Sequence, residues 1–173
     1  MMSEAEAPYR APRMSDYGSA RDLFEAAREA ARDADRIARN LDRMSAREGV
    51  RAQSYEVRGR SGHRPDATSA TDARMDYEER VRLRQMADYG LIDLACSVLY
   101  GRDQLTGGLS ALMGPAYADC LWWRFCAGGT WPEVAEGCQM SERWCRGAVE
   151  LSFDVIDAYG PARVADGLGL AEV

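Results

Sequence analysis

Apolar residues recur three and four apart over residues 15–48. Ala20, Leu23, Ala27, Ala30, Ala34, Ile37, Leu41 and Met44 form one seam, and Arg, Asp and Glu fill the other faces. Such spacing keeps a stripe on one side of an α-helix, and its heptad alternation is that of helices packed along their length. It predicts one helix over 15–48, supported by an i,i+4 pair between Asp35 and Arg39. The seam requires a partner, which is a second copy (a homodimer through residues 20–44), another protein, or the rest of this chain. Ahead of it, residues 1–14 carry Pro8 and Pro12 without periodicity and are expected to be disordered.

Residues 49–71 lose the helical period and gain Gly, Ser and Pro, which predicts a flexible linker. Its Arg51, Arg58, Arg60 and Arg64, with Tyr55, suit a basic arm that touches phosphates, or a merely solvated connection. A second helix is expected over 72–100, apolar toward its end at Leu91, Leu94, Ala95, Val98 and Leu99, with Gly101 as its cap. The remainder, 101–173, reads as one domain. It holds a short helix at 109–113 and another at 116–126, in which Trp122 and Trp123 either cover a partner or bridge two helical layers. The fold class expected is therefore all-α.

The most informative pattern lies at 130–158. Thr130 followed by Glu133 is a capping box, and Pro132 stands in the first turn, where its missing N–H costs nothing. After Gln139 and Met140, Ser141 caps a second and longer helix that ends before Gly160-Pro161. Two helices over 130–138 and 141–158 joined by a tight turn make a helix-turn-helix, with Val134, Ala135, Met140, Cys145 and Val149 facing its core. Ser141, Glu142, Arg143, Trp144 and Arg146 then occupy the first turns of the second helix, from which such a motif reads a major groove of double-stranded DNA.

The stretch from Leu121, L-W-W-R-F-C-A-G-G-T-W-P-E-V-A-E-G-C-Q-M-S-E-R-W-C-R, resembles the promoter-reading C-terminal domain of sigma factors. Arg124, Phe125, Gly128, Thr130, Trp131, Glu133, Val134, Ala135, Ser141 and Arg146 fall on the marked positions of that pattern. With a long helical region ahead of it, the chain resembles the sigma-like regulators of phages and prophages, of the ArpU and RinA kind. The resemblance covers about the last third and implies RNA polymerase as a partner and control of transcription as the outcome. It departs at the turn, where Gln139 replaces the usual Gly, and in the second helix, where Trp144 and Cys145 replace Thr or Ser and Val.

Charge complicates this reading. All 22 basic residues are arginine. Residues 1–64 hold thirteen Arg against eleven acids, whereas residues 121–173 hold four against eight. Phosphate neutralisation supplies most non-specific affinity, so an acidic helix-turn-helix is expected to need help from a dimer partner, from polymerase or from the basic segment.

Other chemistries find little support. Cys96, Cys120, Cys126, Cys138 and Cys145 form no C-x-x-C pair and the only histidine is His63, so reduced core cysteines without a metal are expected. Gly107-Gly108 lacks a following G-K-[ST], and no lysine exists to complete a phosphate loop. Without a second histidine or an isolated carboxylate pair, no catalytic residues and no cofactor are expected. The chain has neither an apolar run of membrane-crossing length nor a signal-peptide core, and is expected in the cytoplasm without membrane contact. Two further readings fit the same pattern: a phage DNA-packaging subunit of the small-terminase type, and a helical interaction module that does not bind DNA.

Overall fold

The computed structural model describes residues 10–55, 67–103 and 107–167, and every regular element among them is helical. The chain runs through α1 (Ala20–Tyr55), α2 (Ala67–Tyr100), α3 (Gly108–Met113), α4 (Pro115–Leu121), α5 (Trp131–Cys138), α6 (Glu142–Tyr159) and α7 (Pro161–Ala165). No described helix is long and apolar enough to cross a membrane.

Helix α1 starts later than its seam suggested. Met14–Asp16 form a separate 3-10 turn, and Tyr17 is extended, so the α-helix begins where the Ser19 hydroxyl accepts from the Asp22 amide at 3.1 Å. It also ends later, at Tyr55, and α2 begins at Ala67. Both helices therefore enter the segment expected as a linker: once a helix is nucleated each further residue adds a hydrogen bond, and a single Gly49 costs only about 1 kcal/mol against that. Residues 1–9 of the expected tail and 56–66 of the expected linker, with Arg58, Arg60 and Arg64, lie outside the described residues.

The α1 seam is covered by its own chain. Ala20, Leu23, Ala27, Ala30, Ala34 and Ile37 are buried, with Leu41 and Met44 half-buried, while α1 packs along α2 and across the helices that follow. Alanines bring the backbones close and leave room for large side chains from the other side. The chain's three phenylalanines meet there: Phe24 of α1 lies 5.8 Å from both Phe125 and Phe153, which are 5.5 Å from each other. Edge and tilted contacts of this kind add to the area they bury. The N-terminal helix and the C-terminal helices thus share one core rather than forming two bodies.

Smaller features fix the rest. Gly101 closes α2 at φ 88°, and its amide bonds the Ser97 carbonyl at 2.9 Å. A Cβ on Gly108 would fall 2.6 Å from the Leu99 carbonyl oxygen, so the Gly107-Gly108 pair serves close packing of α3 on α2. Helix α4 widens into a π-turn over Trp122–Cys126, where the Ala127 amide reaches back to the Trp122 carbonyl at 2.9 Å. Trp122 and Trp123 meet edge to face at 5.2 Å; Trp123 lies on Gly137 of α5 and Trp122 reaches Cys96 of α2. Both tryptophans bridge helices of this chain.

Candidate nucleic-acid interface

Helix α5 begins as its sequence is written. The Glu133 carboxylate accepts from the Thr130 amide at 2.7 Å and from its hydroxyl at 2.8 Å, which holds its pKa below the ordinary glutamate value. The helix ends in a six-residue closure: the Met140 amide donates to the Ala135 carbonyl at 3.0 Å and the Gln139 amide to Glu136 at 3.2 Å. This geometry requires a left-handed residue between them, and Gln139 takes it at φ 55°, ψ 37°. Among the described residues no other non-glycine has positive φ. Helix α6 then opens on Ser141, whose hydroxyl accepts from the Trp144 amide at 3.2 Å.

Of the residues expected in the core of this pair, Val134, Cys145 and Val149 are buried, and Ala135 is half-buried. Met140 is not: 43% of it is exposed. The left-handed turn that satisfies the last carbonyls of α5 swings the next side chain outward, so the apolar stripe skips it.

Of the residues expected to face DNA, Ser141, Glu142 and Arg143 are exposed on the first turn of α6. Trp144 is half-buried, its ring 5.3 Å from Tyr117 of α4, where it holds α6 down. Arg146 is exposed but engaged: its guanidinium lies 4.5 Å from the centroid of Trp131 and 3.6 Å from the Glu142 carboxylate.

The same Trp131 ring carries a second arginine. Arg124, on the π-turn, also sits 4.5 Å from its centroid and donates to the Gly129 carbonyl at 2.8 Å. Burial, and then the neighbouring charges of Arg28, Arg32 and Arg146, pull the Arg124 pKa down, against Glu25. Arg28 is lowered in turn by burial and by Arg32. Arg124 thus feels the charges of Arg28 and Arg32 from α1 and of Arg146 from α6, with Glu25, 3.9 Å from Arg28, offsetting part of them. Of these residues the sequence pattern placed only Arg146 at the site, Arg124 and Trp131 being marked by the resemblance alone; Arg28 and Arg32 stand about a hundred positions away on a helix read for its apolar seam.

The acidic residues of α6 are partly spent on α1. Glu150 pairs with Arg21 at 2.5 Å, and Asp157 accepts from the Ala20 amide at 2.6 Å. Beside the start of α6, Tyr117, Trp144 and Leu151 floor a shallow groove of about 380 Å³, with Ser141 and Arg143 at its edge. The cysteines, scattered in sequence, gather into Cys96 with Cys126 and, separately, Cys120 with Cys138 and Cys145. Compared with protein families, curated proteins and solved structures, this chain matches none.

Proposed function

We propose that this protein binds double-stranded DNA through a helix-turn-helix formed by α5 and α6, and that it regulates transcription of the phage or prophage kind together with RNA polymerase. The observation that carries the proposal is the stacking of Arg124 and Arg146 on the one Trp131 ring, with Arg32 packed beside Gly128 and Arg28 adding to the same positive field. Mutually repelling guanidiniums gain most from an anion, and a phosphate backbone supplies a row of them. The buried partners of the pair, its two N-caps and its left-handed turn support the motif, and the resemblance to sigma factors supports polymerase as the partner. Arg143, exposed and in no ion pair among the described residues, is the candidate for base edges. Arg32 and Arg146 take phosphates. In this way α1 supplies the positive charge that the C-terminal third lacks.

A titration of labelled duplexes from the protein's own gene neighbourhood, followed by anisotropy at several salt concentrations, tests the reading. Arg32→Ala should weaken all sequences alike and lower the salt slope by about 1, whereas Arg143→Ala should cost about 1–3 kcal/mol of discrimination. Sedimentation of the same samples separates regulation from packaging, since a ring of many subunits belongs to the latter. Absence of salt-dependent binding, with and without polymerase, overturns the proposal.

One observation favours a second reading, the interaction module. The groove floored by Tyr117, Trp144 and Leu151 is apolar, and Leu151 is 47% exposed in it. Aromatic floors with a charged rim are common where proteins meet. Loss of polymerase binding in Leu151→Asp with DNA affinity intact assigns that face to protein; loss of both assigns it to the DNA site.

A further inference from the structure

Three helices each place one cysteine at a common point. Cys120 comes from α4, Cys138 is the last residue of α5, and Cys145 lies in the second turn of α6. Their sulfurs all lie within 4.8 Å of one another, and the Cys120 and Cys138 sulfurs are 3.4 Å apart. Cys120 and Cys145 are fully buried, while Cys138 is half-buried and leaves a way in from solvent. Three sulfurs held around one tetrahedral zinc at the usual metal–sulfur distance of about 2.3 Å would stand about 3.8 Å apart. One edge of the observed triangle is 3.4 Å and none exceeds 4.8 Å, so shifts of about 1 Å or less bring the three sulfurs to that spacing.

We propose that Cys120, Cys138 and Cys145 form a binding site for a thiolate-preferring metal ion such as Zn²⁺. Soft sulfur ligands select ions of this class over Mg²⁺ or Ca²⁺. Binding replaces three S–H bonds by three metal–sulfur bonds and releases three protons to solvent. A divalent ion then leaves one net negative charge and an open fourth position, which a water or a small exogenous ligand fills. The pair of Cys96 and Cys126 supplies only two sulfurs and does not make a comparable site.

The position gives the site a consequence. Cys138 immediately precedes the left-handed Gln139, and Cys145 follows the turn, so one ion ties α5 to α6 across their junction and both to α4. The ion fixes the angle at which the start of α6 is presented. This inference concerns the metal site alone and stands whether or not the exposed face reads DNA.

The test is titration of the full chain with Cd²⁺ under a non-thiol reductant, read by ultraviolet thiolate-to-metal charge transfer. One Cd²⁺ per chain is expected, its band lost on addition of a chelator, together with a melting temperature that rises with Cd²⁺ concentration. Cys120→Ser, Cys138→Ser and Cys145→Ser should each weaken binding by more than the roughly 10–100-fold that loss of an outer contact costs, and Cys96→Ser should leave it unchanged. Because the two buried cysteines risk the fold, Cys138→Ala and Cys138→Ser, checked by circular dichroism, carry the decision. No band at equimolar Cd²⁺, a band that survives both folded Cys138 variants, or one that disappears with Cys96→Ser overturns the proposal.

Discussion

The Ala20 amide at the start of α1 donates to the Asp157 carboxylate near the end of α6 at 2.6 Å, across 137 residues of sequence. The first amides of a helix have no partner of their own and concentrate positive charge, so a carboxylate there satisfies one and opposes the helix dipole. Asp157→Ala should cost about 1 kcal/mol, read as a lower urea midpoint with unchanged slope. An unchanged midpoint would mean that Ser19 alone caps α1.

Gln139 occupies a conformation that costs an L-residue roughly 1–2 kcal/mol, whereas glycine enters it freely. Gln139→Gly loses some of this gain to the greater freedom of the unfolded chain, and a net stabilisation of about 0.5–1 kcal/mol is expected. Gln139→Val, β-branched at the same φ, should destabilise. Thermal melts of the two variants, moving in opposite directions, check the turn.

Gly137 offers the opposite case. In an open helix Gly→Ala usually stabilises by up to about 1 kcal/mol. Here a Cβ would meet the Trp123 ring at 2.4 Å, so Gly137→Ala should destabilise, by roughly 1–3 kcal/mol. A change in tryptophan fluorescence should accompany the loss, because Trp123 must shift.

Asp88 faces Asp33 across the α1–α2 junction, and burial followed by the Asp33 charge raises its pKa, against Arg84 and Arg36. Folding therefore favours its protonated form. That contribution is fully present below the unfolded value of about 3.9 and is lost as pH rises through the folded value. Asp88→Asn should raise the melting temperature at about pH 7, and the gain should shrink toward about pH 4. A gain that is constant with pH would assign the effect to something other than charge.

Local pattern reached far into this fold because so much of it is decided within a few residues. The Thr130 to Glu133 box, Ser141 as a cap and Gly160-Pro161 as a stop act through neighbours in the chain, and α5 and α6 lie where those signals put them. The heptad seam of α1 likewise announced a buried face. What covers that face was not legible, since a seam records that a neighbour exists and not which one; α2 and the three phenylalanines decided it. Met140 was misplaced for a related reason, as helical periodicity does not pass through a left-handed turn. The charge of the candidate interface was hidden most deeply. Sequence by itself determined an acidic C-terminal third and five scattered cysteines, whereas only tertiary structure brought Arg28 and Arg32 to Arg124 and Arg146, and Cys120 to Cys138 and Cys145. Electrostatic fields and ligand sets depend on distances through space, and in a protein whose first helix packs on its last ones those distances bear no relation to separation along the chain.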